Sequence, residues 1–424
     1  MAHYRGSWRG RGGGPARRPI PKQNFPPPPI GPLIDFIDSE TLETYEDLEG
    51  KGPVRITDVA LVASYNWADK KQPEILVPGK TRSHDGRDQA HVVGKPPRWT
   101  PQSSVKLRED DPYRKYYLDI NLASYPKHAL EAVAEAVMTM DPSIPKIQLY
   151  ACASTMNNLL QFCKGESDRK FRMFVERMGD TVHLIRRQNS PLELLPGEIY
   201  GYGHTFPEAY TTWDTDVKQC KSHQRIIRYK LGDLNMMLRF EGDGFVADSK
   251  PAKRTSDDRD IDSLLGSLDV SPSTSSGIES SRLAVRKAGE SIPQGQVFEI
   301  RTRTARARDR DIIGEELPRL WLRQLDKFVL AFHERGRFDE DDVKLHSIRP
   351  RLDEWEEGNQ APIKRLRALL REIIDQVKEQ PSGRMELVSE GLGMIQICEQ
   401  CADAERPLSD DAQERWKKWL ARMK

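Results

Sequence analysis

The chain has no apolar run close to the roughly 20 residues that a helix needs to span a bilayer, so we expect no membrane association. Its N-terminus, rich in Arg and Gly, lacks the apolar segment of a secretory signal. Cysteine is scarce, with five residues in 424, which favours a reducing compartment over a disulfide framework. Cys398 and Cys401 form a single C-x-x-C, and no second pair exists to complete a zinc site. These absences predict a soluble intracellular protein.

Acidic side chains are missing from residues 1–34, where basic ones recur. Residues 7–14 form an Arg-Gly segment, and residues 26–29 are a proline run. This composition cannot build a core, and Arg-Gly segments bind single-stranded nucleic acid through charge and stacking. We therefore predict a disordered Arg/Gly- and Pro-rich tail over residues 1–33, which either contacts RNA or keeps the protein soluble. The net charge of the whole chain, +1, argues against a uniformly basic nucleic-acid binder.

The rest of the chain alternates between β-forming and amphipathic helical segments. Strands are expected near residues 224–229 and 235–246, and helices over 317–332 and 363–377. Residues 247–295 are rich in Ser, Asp, Pro and Gly and will not order by themselves, but a strong strand resumes at residue 296. We predict a single domain over residues 34–424 with a disordered Ser-rich insert at 247–295. Its fold class is α+β, a mixed β-sheet core with flanking helices.

Two short segments place charged groups at alternate positions of expected strands. Glu241 and Asp243 share one face, as do Glu299 and Arg301. An isolated E-x-D is common on solvated strands, but here the flanking residues are apolar. Neighbouring carboxylates in apolar surroundings repel each other unless a cation or a proton intervenes, and hard carboxylate oxygens favour Mg²⁺ or Mn²⁺. The sequence thus predicts a metal and phosphate site suited to phosphodiester or pyrophosphate hydrolysis.

The order of the charged motifs resembles that of the decapping exoribonuclease family (DXO and the nuclear exoribonuclease-interacting proteins), within the PD-(D/E)xK-like nuclease superfamily. That family has a G-Φ-x-Φ-x-E element, then E-x-D, then E-x-K. The corresponding segments here are residues 203–208, 241–243 and 299–301. Arg301 stands where the family has lysine, so this is a divergent member. Arginine can clamp a phosphate in bidentate fashion, but it cannot act as a general base.

The resemblance implies a metal-dependent hydrolase that acts on RNA 5′ ends. Its activity would be pyrophosphohydrolysis or decapping of triphosphate, incomplete or NAD-type caps, with 5′-3′ exonuclease activity as an extension. The implied cofactor is Mg²⁺ or Mn²⁺, and the implied metal ligands are Glu208, Glu241, Asp243, Glu299 and the main-chain carbonyl of Ile300. The implied catalytic residues are Glu241, Asp243, Glu299 and Arg301, of which Arg301 takes the phosphate-facing role of the lysine.

Three arginines that follow the third motif, Arg303, Arg306 and Arg308, are predicted to bind RNA by steering its backbone into the cleft. A solvated basic loop is the alternative interpretation of these residues. The resemblance also implies a 5′-3′ exoribonuclease as partner and a nuclear location, with the cytoplasm as the alternative. The basic segment at residues 250–254 agrees with a nuclear location.

Two other functions compete with this hypothesis. The first is a catalytically weak or inactive relative that acts as an RNA-binding adaptor of an exoribonuclease, which Arg301 favours and the four retained carboxylates oppose. The second is a prenyl-diphosphate synthase, which needs two aspartate-rich D-D-x-x-D motifs in an all-helical fold. Asp257 and Asp258 lie in the predicted insert, and the expected strands disfavour such a fold.

Overall fold

The computed structural model of the protein describes residues 25–39, 42, 52–78, 95–165, 170–195, 201–217, 219–247, 282–287, 291–391, 393–402 and 404–423. Most of the predicted N-terminal tail and most of the predicted Ser-rich insert lie outside these ranges. None of the helices within them combines the length and the apolar content of a membrane-spanning segment.

Strands form two main sheets in the described part of the chain. In chain order they are β1 (Leu33–Asp38), β2 (Ile56–Ala68), β3 (Glu74–Val77), β4 (Arg98–Trp99), β5 (Val105–Lys106), β6 (Leu149–Cys152), β7 (Phe171–Met178), β8 (Thr181–Arg187), β9 (Thr211–Thr212), β10 (Cys220–Leu231), β11 (Leu234–Glu241), β12 (Gly244–Phe245), β13 (Ala284–Lys287), β14 (Val297–Thr304), β15 (Lys327–His333), β16 (Arg337–Phe338), β17 (Val343–Ser347), β18 (Arg384–Ser389) and β19 (Met394–Cys398). The larger sheet has the order β1-β19-β18-β7-β8-β6-β11-β10-β2-β3-β13, and the smaller one the order β17-β15-β14-β12-β4-β9. Strands β16 and β5 pair separately.

Helices flank both sheets in the described part of the chain. They are α1 (Ile120–Ser124), α2 (Glu131–Met140), α3 (Ala153–Lys164), α4 (Thr205–Tyr210), α5 (Ile312–Arg323), α6 (Arg349–Gly358), α7 (Gln360–Glu379) and α8 (Asp410–Leu420). Helix α3 packs against α5 and α7, and α2 packs against α8. Helix α7 buries the apolar side that its 3.6-residue periodicity predicts, from Ile363 to Val377. Parallel and antiparallel pairs occur in both sheets, so the α+β prediction is confirmed.

The helix predicted over residues 317–332 is wrong in its position. Helix α5 runs from Ile312 to Arg323 and ends at Gln324, whose φ of 50° is left-handed. The apolar residues that follow form β15, which pairs in parallel with β14 and antiparallel with β17. A buried strand and a buried helix segment have similar apolar content, so composition alone could not separate them. The pairing of β15 with β14 and β17 decides between them, and neither strand lies within residues 317–332.

The predicted insert also needs a correction, because the described residues within 247–295 are not all irregular. Strand β13 pairs in parallel with β3 and extends the larger sheet. Leu283 is buried in the core, and Arg286 Nε lies 3.1 Å from a Glu74 carboxylate oxygen. Ordering here depends on an existing sheet edge to pair with, which a prediction from local composition cannot detect.

One short connection links the two sheets and carries the E-x-D motif. Strand β11 belongs to the larger sheet and ends at Glu241, and β12 in the smaller sheet begins three residues later. Gly244 lies opposite Phe298 of β14. A Cβ atom added at Gly244 would lie 2.9 Å from Phe298 Cε2 and 2.9 Å from the Pro97 carbonyl oxygen. The absence of a side chain therefore lets the E-x-D segment approach β14.

We expect Gly244→Ala to lower the free energy of unfolding by about 1–3 kcal/mol, because a packed backbone and ring must move to admit the methyl group. Chemical denaturation would measure the change. Gly295→Ala is the matched control, since nothing lies within 4 Å of its added Cβ. Equal stability of the two variants would contradict the close approach.

Candidate functional site

The connection between the sheets brings three of the predicted acidic residues together. Glu241 ends β11 and lies opposite Gln224 of β10, and the Gly242 N–H donates to the His223 carbonyl over 3.0 Å. Asp243 follows, and its Oδ2 accepts a 2.7 Å hydrogen bond from the Ile300 N–H of β14. The preceding residue of β14, Glu299, is 2 % exposed. The E-x-D and E-x-R motifs therefore share one site. The expected strand over residues 235–246 is interrupted, however, because β11 ends at Glu241 and Asp243 lies in the connection to β12.

The charges of these carboxylates are unequally compensated. Burial and then the neighbouring Asp243 raise the pKa of Glu241, although this side chain reaches solvent. Burial and then Glu299 raise the pKa of Asp243. Burial opposes ionisation of Glu299 as well, but nearby guanidinium groups outweigh it and lower the pKa of Glu299. Glu241 and Asp243 thus lack a full countercharge, whereas Glu299 has one.

Three arginines supply that countercharge. Arg301 Nη2 forms an ion pair with Glu299 Oε1, and Arg323 Nη1 forms one with Glu299 Oε2. Arg319 Nη2 lies 3.6 Å from Glu299 Oε1. Arg301 Nη1 also donates a 2.8 Å hydrogen bond to the Ile300 carbonyl oxygen. The two groups of β14 that the resemblance assigns to a metal, Glu299 and the Ile300 carbonyl, therefore both contact arginine.

A second buried carboxylate holds two of these arginines, Arg301 and Arg319, in place. Glu316 of α5 accepts from Arg301 Nε and from Arg319 Nη1, each over 3.0 Å. Arg303 Nη2 lies 3.6 Å from the same carboxylate. Glu316, Arg319 and Arg323 all lie on α5, so the position of this helix beside β14 determines which charged groups surround Glu299. Sequence reasoning missed these three residues, although their spacing by three and four places them on one helix face.

Glu208 is not brought into this cluster. It lies on α4, is exposed, and its Oε1 accepts a 2.6 Å hydrogen bond from Arg114. No hydrogen bond or ion pair among the described residues connects Glu208 with Glu241, Asp243 or Glu299. Its role as a metal ligand stays a prediction of the resemblance.

The arginines predicted to bind RNA lie beyond the cluster. Arg303 is half-buried beside Glu316, and Arg306 is exposed. Arg308 forms a 2.6 Å ion pair with Asp342, and its guanidinium lies 5.9 Å from the centre of the Phe332 ring. Both ends of the segment thus have partners within the protein, and RNA binding by these residues stays a prediction.

The donor set fits a divalent cation only in part. Across the described ranges, no group of three or more His, Cys, Asp and Glu side chains is arranged to hold a metal ion. Glu241 and Asp243 fit in charge and chemistry, because their carboxylates lack a full countercharge. Glu299 and the Ile300 carbonyl contact guanidinium groups instead. A metal ion at this place would therefore find two available carboxylates beside one carboxylate that arginine already neutralises.

Comparison with known proteins identifies the fold. A family model described as "Domain of unknown function (DUF8563)" matches residues 54–400. No curated protein matches the sequence. Among solved structures, that of S. pombe Rai1 is 12 % identical with a TM-score of 0.52, and the match covers 87 % of this chain and 99 % of that one.

Two further Rai1 structures are similar over the same share of the chain. A mutant S. pombe Rai1 in complex with 3′-FADP is 10 % identical with a TM-score of 0.53, covering 87 % of this chain and 99 % of that one. Candida albicans Rai1 in complex with pU5-Mn²⁺ is 10 % identical with a TM-score of 0.52, covering 87 % and 96 %. The predicted resemblance is confirmed at the level of the fold, which this chain shares with the Rai1 structures.

Proposed function

Since the chain belongs to the DUF8563 family and has the fold of Rai1, we propose that it is a divalent-metal-dependent hydrolase of RNA 5′ ends. One observation carries this proposal: Glu241, Asp243 and Glu299 meet where β11 passes into β12 beside β14. Complexes of similar structures support it, since Candida albicans Rai1 binds pU5 and Mn²⁺ and a mutant S. pombe Rai1 binds 3′-FADP. The proposed substrates are RNAs with triphosphate, incomplete or NAD-type 5′ caps.

In the proposed mechanism, Glu241 and Asp243 would hold Mg²⁺ or Mn²⁺, and Glu299 lies beside them. When bound, such an ion would supply Lewis-acid chemistry to the phosphate and to water. Arg301 cannot accept a proton, because its guanidinium remains charged at any working pH. Its contribution is positive charge for the phosphate, from a position that Glu299 and Glu316 fix. Arg301 therefore cannot take over a proton-accepting role from the lysine of the family.

The test is incubation with 5′-triphosphate RNA and NAD-capped RNA in Mg²⁺ or Mn²⁺. We expect product with the wild type and a loss of rate of about 100-fold or more in Glu241→Ala, the scale for removing a group that stabilises transition-state charge. Glu354→Ala is the matched control, since Glu354 is an exposed acid on α6, outside the cluster. Equal rates in the wild type and Glu241→Ala would contradict the assigned site.

A second candidate function is RNA 5′-end binding without hydrolysis, as an adaptor of an exoribonuclease. The observation that favours it is the set of guanidinium groups on Glu299. Intact RNA binding with no product at any metal concentration would move the assignment to this candidate. An exoribonuclease partner and a nuclear location are proposals that rest on the resemblance, and co-purification with RNA-processing enzymes would test the partner.

A further inference from the structure

The carboxylate of Glu299 already has the positive charge that a metal ion would bring. Arg323 and Arg301 each form an ion pair with one of its two oxygens, and Arg319 lies 3.6 Å from Oε1. A carboxylate that is 2 % exposed cannot leave these partners for water. Any cation that binds Glu299 must therefore compete with a guanidinium group.

The wider cluster has equal numbers of acidic and basic side chains, although its arginines lie on Glu299 and Glu316 and not on Glu241 and Asp243. The acidic groups are Glu241, Asp243, Glu299 and Glu316, and the basic groups are Arg301, Arg303, Arg319 and Arg323. A divalent ion that enters alone would leave a surplus of positive charge in a partly buried site, which is unfavourable. An anion that enters with the metal removes this surplus, and a phosphate group also offers guanidinium groups new acceptors.

Of the arginines on Glu299, Arg323 is the one whose loss would free a carboxylate oxygen. Arg301 is fixed by hydrogen bonds to Glu316 and the Ile300 carbonyl oxygen and by its ion pair with Glu299, and Arg319 is fixed by Glu316. Arg323, at the last position of α5, has Glu299 as its one ion-pair partner among the described residues. Its Nε is buried and has no hydrogen-bond acceptor within the described structure.

We propose that Arg323 occupies the cation position at Glu299, so that a divalent metal and the 5′ phosphate of RNA enter the site together and not separately. This inference rests on the proposed function, and it names the regulation of that same site. Arg323 acts here as a positioning residue. It blocks metal binding in the absence of RNA and turns to the incoming phosphate when RNA is present. Metal-dependent hydrolysis is thereby confined to the RNA-bound protein.

The test measures Mn²⁺ binding by electron paramagnetic resonance or calorimetry, with and without a 5′-phosphorylated oligouridine. For the wild type we expect the oligonucleotide to tighten Mn²⁺ binding by about 10-fold, within the usual range of coupling between two ligands. For Arg323→Met we expect Mn²⁺ alone to bind about 10-fold more tightly than it binds the wild type, with the coupling reduced. Arg310→Met is the matched control, since Arg310 is exposed and pairs with Glu315 outside the cluster.

The outcomes of this test distinguish the inference about Arg323 from the proposed hydrolase function. Equal Mn²⁺ affinity of the wild type and Arg323→Met contradicts the role of Arg323, whether or not RNA is hydrolysed. Tighter Mn²⁺ binding by Arg323→Met without hydrolysis by either protein supports the inference and contradicts the proposed function. No Mn²⁺ binding by any variant contradicts both. If Arg323→Met fails to fold, Arg323→Gln replaces it, because it also removes the positive charge from Glu299 Oε2; unchanged Mn²⁺ affinity in that variant counts against the inference.

Discussion

Glu299→Gln is expected to lower the free energy of unfolding by about 3–5 kcal/mol, the usual cost of removing one partner from a buried ion pair. Glu299 is nearly inaccessible to solvent, and its loss leaves Arg301 and Arg323 without a shared counterion. Glu241→Gln, in the same cluster, is expected to change stability by no more than about 0.5 kcal/mol, because Glu241 reaches solvent and repels Asp243. Urea denaturation of both variants would measure the difference.

The difference in stability between Glu299→Gln and Glu241→Gln separates two roles of a carboxylate, metal binding and stabilisation of the fold, which the sequence motifs cannot distinguish. Both substitutions remove a carboxylate that the proposed hydrolysis uses, so both are expected to lose activity. Only Glu299 also holds α5 against β14 through arginine. Similar stability of the two variants would show that the arginine cluster contributes little to folding, and that Glu299 is available as a free metal ligand.

Alternation along a strand made the pairing of Glu299 with Arg301 on β14 predictable, because it fixes which side chains face the same way. It does not explain Asp243, which lies in the connection between β11 and β12. The other arginines that surround Glu299 were not predictable in the same way. Arg319 and Arg323 lie on a helix, and their contact with β14 depends on how α5 packs against the smaller sheet. The predicted helix over residues 317–332 also placed the helix C-terminus too late, which hid the proximity of Arg323 to β14.

Glu208 illustrates the opposite case. Its spacing from Gly203 fits the first element of the family, but spacing along the chain does not determine which neighbours a side chain finds. In the structure the start of α4 is held by Asp110, which accepts hydrogen bonds from the N–H groups of His204 and Thr205. Glu208 then extends toward Arg114. Sequence motifs thus predicted the neighbours of residues on strand β14 better than those of residues on helices α4 and α5.

A fall in pH from 7.5 to 4 is expected to lower the free energy of unfolding by about 3 kcal/mol through His183 alone. His183 lies on β8 and is fully buried, and burial lowers its pKa to about 4. Its Nε2 accepts a 3.0 Å hydrogen bond from Trp416 Nε1 on α8, which requires the neutral ring. In the unfolded chain the pKa returns to about 6.5. Between these two values only the unfolded state binds the proton, so stability is complete above pH 6.5 and falls as pH approaches 4.

The matched variant for this prediction is His183→Gln, which keeps an acceptor for the indole N–H and has no proton to gain. Chemical denaturation of both proteins at several pH values isolates the contribution of His183, because all other titrating groups are common to them. We expect the wild type to lose about 3 kcal/mol relative to the variant across this range. Parallel pH profiles would contradict the buried neutral histidine. A change in Trp416 fluorescence at a higher pH than global unfolding would further indicate that protonation of His183 first releases α8. Trp416 anchors that helix to β8 through its hydrogen bond with His183.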